Sequence, residues 1–198
     1  MNKNPTISNN NDLHHLRNGR VHEICGPSAY SFAMSICGES EGTVLWIDEA
    51  RQVEQVLPAG FMRFCNPGRI IFVRGSSTLD VLWMAEECLR SKAAPVVVTR
   101  LSQPLDFTQG RRLQLAAETG KSLGLFLVPE GMGSNAAETR WLCAPCFDSN
   151  DSTLQHWKLI KNKTGTIKDW VVNWNEQAHR ITVVPKTGER ADFARAVD

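Results

Sequence analysis

Val21-His22-Glu23-Ile24-Cys25-Gly26-Pro27-Ser28-Ala29-Tyr30-Ser31-Phe32-Ala33-Met34-Ser35-Ile36-Cys37-Gly38 is the stretch on which the fold turns. A short strand-like run stops at a Gly-Pro bend, and beyond it apolar side chains return at Ala29, Phe32, Ala33, Ile36 and Cys37. That spacing predicts one face of a helix. Pro27 suits the first helical position, where no N–H is required, and Gly38 suits a left-handed stop. Strand, tight turn and helix therefore follow in order. Next comes Thr43-Val44-Leu45-Trp46-Ile47, a continuous apolar run of the kind buried in the middle of a parallel sheet.

The same alternation continues outward. Residues 51–69 hold Pro58, Gly60, Pro67 and Gly68 and read as a short helix with irregular connections, leading to a strand at Ile70-Ile71-Phe72-Val73. Ser77-Thr78-Leu79-Asp80 resembles a capping box and opens a helix over 78–92. That helix is apolar at 79, 82, 83 and 89 and again at 81, 84, 85 and 88, so it is covered on two sides, by the sheet and by something else. Pro95 to Thr99 predicts a fourth strand, Thr108 to Glu118 a helix closed by Gly120, and Leu123 to Val128 a fifth strand. After about residue 139 only strands follow: Thr139 to Cys143, Leu154 to Lys161, Asp169 to Trp174 and Arg180 to Val184, the last three as a meander. The expected fold is α/β: a mostly parallel sheet flanked by helices, with an antiparallel C-terminal edge meander. Residues 1–19 read as a disordered arm, 20–185 as one domain and 186–198 as a flexible tail.

Composition agrees with one soluble core: 198 residues, 42% apolar, 22% charged and a net charge of +1. Bulk charge therefore selects no nucleic acid or acidic substrate, and any basic patch must be local. No apolar run is long enough to span a membrane and the first residues lack a secretory signal, so a cytoplasmic location is expected. The six cysteines read as reduced, and Cys143-Ala-Pro-Cys146 lacks a second ligand pair for zinc. His14 and His15 read as solvated, and no metal or cofactor is expected.

The bend also invites comparison with a P-loop, G-x-x-x-x-G-K-[ST], whose amides curl round phosphates while Lys and a hydroxyl hold phosphate and Mg²⁺. Aligned from Gly26, the second glycine is Ser31, the lysine Phe32 and the hydroxyl Ala33. Nucleotide is not expected to bind there. The strand ending Val97-Val98-Thr99-Arg100 supplies no acid for Mg²⁺, and Asp48 and Glu49 read as caps of the following helix.

The order of the Gly26 turn and helix, Leu45-Trp46-Ile47-Asp48-Glu49, the Val96–Thr99 strand and Leu159-Ile160-Lys161-Asn162-Lys163 is similar to the RecA ATPase core. More specifically, Leu82-Trp83-Met84-Ala85-Glu86-Glu87-Cys88-Leu89-Arg90-Ser91, Arg111-Arg112-Leu113-Gln114-Leu115-Ala116-Ala117-Glu118 and Glu138-Thr139-Arg140-Trp141 resemble the ImuA family of RecA-like proteins. The resemblance implies a non-catalytic role in SOS-induced error-prone DNA damage tolerance beside ImuB, a Y-family-polymerase-like partner, with RecA or DNA as further partners and self-assembly as an option. The alternatives are a SulA-like division inhibitor that binds FtsZ and a weak residual ATPase.

From Gln155 to Arg190 seven basic side chains face three acidic ones. Among them Lys158, Lys161, Lys163 and Lys168 are candidate DNA or partner contacts, or else edge-strand lysines that block sheet pairing. Trp157, Trp170 and Trp174 would either stack bases or fill the core. Arg111 and Arg112 open a helix against its dipole, which points to a partner carboxylate or phosphate, or to a salt bridge with Glu118 or a nearby loop. Arg140-Trp141 reads as internal packing with a stacked guanidinium.

Overall fold

A computed structural model describes residues 16–51 and 54–184 of the chain. Its elements are β1 (Val21–Cys25), α1 (Ala29–Glu39), β2 (Val44–Glu49), α2 (Pro58–Phe61), a 3-10 turn (Pro67–Arg69), β3 (Ile70–Gly75), α3 (Thr78–Arg90) and β4 (Val96–Arg100). Then follow α4 (Phe107–Gly120), β5 (Leu123–Leu127), β6 (Thr139–Pro145), β7 (Gln155–Asn162), β8 (Asp169–Asn175) and β9 (Arg180–Val184). The nine strands form one sheet in the order β3-β2-β4-β5-β1-β6-β7-β8-β9. Pairing is parallel from β3 across to β6 and antiparallel from β6 to β9. The expected α/β architecture is thus borne out, with β6 as the junction strand.

Strands β1, β4 and β5 are buried at every position, because helices cover both faces of this part of the sheet. On one face α1 packs Phe32, Ala33 and Ile36 into a core that continues through Trp141, Trp157, Trp170 and Trp174. On the other, Val81, Ala85 and Leu89 of α3 and Leu113 and Ala117 of α4 meet Ile47, Val97 and Phe126. Trp157, Trp170 and Trp174 are 1%, 6% and 5% exposed, which makes them core and leaves no ring face for a base.

Several terminations differ from the expected ones, each for a packing reason. Pro27 lies ahead of the N-cap Ser28, and α1 runs through Gly38 to Glu39. Gly38 is needed for close approach instead: a Cβ there would stand 2.1 Å from the Phe64 carbonyl oxygen. Helix α4 likewise continues through Gly120, and the left-handed residue is Lys121 at φ 57°. Gly120 sits where α4 crosses the end of α3, with a Cβ position 1.8 Å from the Leu89 carbonyl oxygen. The reciprocal capping box forms at Asp106 and Gln109, whereas at Ser77 the hydroxyl only accepts from the Asp80 N–H.

The chain is already packed before residue 20. Leu16 is buried, the Gly19 N–H donates to the Ser122 carbonyl at 3.0 Å, and the Arg17 N–H donates to His22 Nε2 at 3.0 Å. His14, His15, the rest of the expected arm and the expected tail from 186 lie outside the described residues.

His22 has no exposed surface, and its Nδ1 lies 2.7 Å from Thr139 Oγ1. Burial lowers its pKa to about 4. The unfolded chain binds a proton near pH 6.5 that the folded chain refuses, so His22 contributes stability above that pH. The contribution is lost as pH falls from 6.5 towards 4 and amounts to about 3 kcal/mol across the window. Urea unfolding of the wild type should therefore weaken more steeply over this range than that of His22→Gln; equal slopes would exclude His22 as the titrating group.

Candidate functional site

The carboxyl end of β1 carries the Gly26 turn. Gly26 has φ +91° and a Cβ position 2.5 Å from the Cys143 carbonyl oxygen, so only glycine lets the turn lie against β6. The same Cys143 carbonyl accepts from the Ser28 N–H at 3.0 Å, while the Ala29 N–H donates to Gly26 O at 3.1 Å. Two amides of the kind that would curl round a phosphate are thereby engaged by protein carbonyls. Ser31 is half-buried, and its carbonyl accepts from the Ser35 hydroxyl at 2.8 Å. Phe32 and Ala33 are fully buried, the Phe32 ring standing 4.2 Å from that of Trp157 and 5.5 Å from that of Trp141.

Beside this turn stands a closed polar network. Asp48 at the end of β2 accepts from Arg100 Nε at 2.8 Å and from Trp46 Nε1 at 3.0 Å. The terminal nitrogens of Arg100 donate to the Tyr30 hydroxyl at 2.5 Å and the Glu54 carbonyl at 3.0 Å. Asp48 is therefore no helix cap, since α2 begins only at Pro58 with Leu57 as its N-cap. Glu49 accepts from the hydroxyls of Thr78 at 2.6 Å and Ser102 at 3.1 Å, joining the start of α3 to the loop after β4. Arg100, Tyr30 and Gly26 line a cleft of about 360 Å³ that Leu127 and Pro129 also wall. Each nitrogen of Arg100 has a protein acceptor, so this cation is already neutralised within the fold.

The second opening lies between α3 and α4. The sheet covers one apolar side of α3, but Leu79 and Trp83 on the other are 73% and 63% exposed. With Leu82 and Leu113 they line a groove of about 200 Å³. Glu86 stands at this seam with 11% of its side chain exposed, and its oxygens hold Arg112 of α4 at 2.6 Å and Arg90 of α3 at 2.5 Å. The sequence predicted two covered sides for α3; α4 provides only part of the second cover.

The remaining predicted contacts divide around the loop 134–137. Lys161 Nζ donates to the carbonyls of Ser134 and Ala137 at 2.8 and 2.9 Å, and Lys163 Nζ to that of Ala136 at 2.6 Å. On the other side of this loop Gln114 Nε2 of α4 donates to the Ala136 carbonyl. Lys161 and Lys163 thus clasp backbone, and burial lowers Lys161 to a pKa of about 8. Lys158 and Lys168 are exposed, as is Arg111, which makes no ion pair among the described residues. Arg112 does form a salt bridge, but to Glu86 rather than Glu118. Arg140 is tied down by hydrogen bonds: its Nε donates to the buried Glu23 at 2.8 Å and its Nη2 to Ser134 O. Of the six basic candidates, Lys161, Lys163 and Arg112 thus hold partners within the fold, while Lys158, Lys168 and Arg111 are exposed. Sequence reading missed Arg100, whose only signal was a cation ending an apolar strand.

No family model matches the chain. Over 129 residues, 65% of its length, it is 28% identical to proteins named protein ImuA from two strains of Caulobacter vibrioides. The matched stretch covers 49% of those proteins, so the chain spans about half the length of the curated relatives it matches. This similarity supports the ImuA resemblance read from the sequence. Two of the strings that carry the resemblance, 82–91 and 111–118, fall on α3 with its C-cap and on α4, and the Glu86–Arg112 pair joins one to the other.

Two substitutions test the closed turn. Phe32→Lys, which puts back the side chain of a phosphate site, should bury an unpaired ammonium, cost several kcal/mol and yield no nucleotide binding by calorimetry. Arg100→Ala should leave Asp48 uncompensated and lower the unfolding free energy by about 3–5 kcal/mol in denaturant titration; a change below 1 kcal/mol would refute the network's role.

Proposed function

We propose that the chain is a non-catalytic accessory protein of SOS-induced error-prone DNA damage tolerance that holds an ImuB-type, Y-family-polymerase-like partner. RecA and DNA are further contacts in this reading. The observation that carries it is the filling of the turn: Phe32 and Ala33 are fully buried where a phosphate-binding lysine and a metal-binding hydroxyl would stand. Arg100 meanwhile ties up Asp48, the acid at the end of β2. Such an arrangement favours a scaffold that acts through its surfaces. The similarity to protein ImuA supplies the process, and the exposed α3–α4 seam supplies a surface on which a partner would act.

Direct DNA contact falls to Lys158, Lys168 and Arg111, because Lys161 and Lys163 already hold the 134–137 carbonyls. No helix among the described residues is long and apolar enough to cross a membrane.

Capture of purified ImuB-type protein, RecA and FtsZ by the immobilised chain tests the proposal. Retention of the ImuB-type protein with ATP turnover at background is the expected result. Retention of FtsZ alone would replace the proposal with a division inhibitor. Turnover lost in an Asp48→Ala, Glu49→Ala double variant would make the chain an ATPase.

A further inference from the structure

We infer that the α3–α4 groove docks one amphipathic helical segment of a protein partner, bearing two apolar side chains one turn apart and a carboxylate further along. The inference rests on the accessory-protein reading and names the surface and the partner chemistry that it requires.

The apolar half comes from residues that water does not favour. Leu79 and Trp83 are adjacent turns of α3, both largely exposed, over a floor made by Leu82 and Leu113. An open apolar patch edged by charge marks a binding surface, and an exposed tryptophan is the residue type that most often dominates binding energy. The lining is two leucines deep beside one indole. It accepts apolar side chains in a way that a phosphodiester chain cannot exploit.

The polar half sets the sign of the occupant. The Glu86 carboxylate is only 11% exposed, whereas the Arg112 side chain that it holds is 62% exposed. Arg90, which shares Glu86, is also paired with the half-exposed Glu87 at 3.1 Å, so Arg112 is the groove-lining cation with donors to spare. An acidic side chain on the occupant meets Arg112. From Leu79 to Glu86 is seven helical residues, about 10 Å of rise, or two turns. An occupant lying along the seam with apolar residues at i and i+4 matches the leucine–tryptophan end, and Asp or Glu at i+7 reaches Arg112.

A second copy of the chain fits less well. A two-fold contact would set concave seam against concave seam and leave each Arg112 without an added carboxylate.

Titration calorimetry on the full chain tests this with two probes. One is purified ImuB-type protein; the other is an alanine-based helical peptide with Leu and Phe four residues apart and Glu seven residues after the Leu. Trp83→Ser should weaken both probes at least tenfold with unchanged thermal unfolding, since its side chain is exposed; Arg112→Glu should weaken both at least tenfold and also lower thermal stability, because it faces the covered Glu86. Glu41→Ala, at an exposed position after α1, should change neither. A peptide with Lys in place of its Glu should bind Arg112→Glu better than it binds the wild type. If the ImuB-type protein binds the wild type and both groove variants equally, the groove inference falls and the accessory reading stands. If only the peptide binds, and through the groove, the inference stands and that reading falls. Binding of neither probe, dimerisation of the wild type that Trp83→Ser abolishes, or displacement of the peptide by single-stranded DNA overturns the inference.

Discussion

Phe32 reaches from α1 over the junction of β6 and β7, its ring 4.2 Å from Trp157 and 5.5 Å from Trp141. This contact ties the parallel half of the sheet to the antiparallel half, since β1, from which α1 departs, pairs with β6, and Trp157 belongs to β7. It also fixes the turn before α1. With the helix drawn down onto the tryptophans, Gly26 and Ser28 come against the Cys143 carbonyl, where only a glycine and an amide donor fit. A lysine at 32 would have to leave this cluster to reach an anion, and the cluster would then lack its central ring. Burial of an aromatic of this size contributes on the order of 4 kcal/mol, which outweighs the 0.3–1 kcal/mol that a bare helix N-terminus offers an anion.

The buried charges follow a common rule: each is closed by a partner from a distant part of the chain. Asp48 meets Arg100 across β2 and β4, and Glu23 meets Arg140 across β1 and β6 while also accepting from the Ser134 N–H. Such pairs add little net stability beyond their desolvation cost, but they penalise any packing that separates the partners. They help to hold the 134–137 loop and the cleft beside the turn in one arrangement. The α3–α4 seam departs from this economy, with Glu86 covered while Arg112, Arg90 and the Arg90 partner Glu87 lie outside.

Strand positions and the mixed sheet were legible because continuous apolar runs and period-two alternation are local signals. Trp157-Lys158-Leu159 alternates cleanly between core and surface, as its sequence implies. Helix ends were less legible, because Gly38 and Gly120 answer to neighbouring backbones rather than to a left-handed φ. At the site, the replacements at Ser31, Phe32 and Ala33 could be read directly, whereas the Arg100–Asp48 pair joins residues 52 apart and leaves no periodic trace. The clasping role of Lys161 and Lys163 was hidden for the same reason: their acceptors are backbone carbonyls of a loop that precedes them by more than twenty residues.

The position of β1 bears on how the protein can be made. It is the first strand among the described residues, yet it lies between β5 and β6, with Val21 opposite Gly124 and His22 opposite Thr139. About a hundred further residues must leave the ribosome before either neighbour exists, an interval on the order of five to twenty seconds at ordinary ribosomal rates. During that time β1 has no lateral pairing, and α1 has no tryptophan pair to cover Phe32. The nascent chain therefore carries this apolar surface uncovered until the arrival of β5 and β6 allows the centre of the sheet to close.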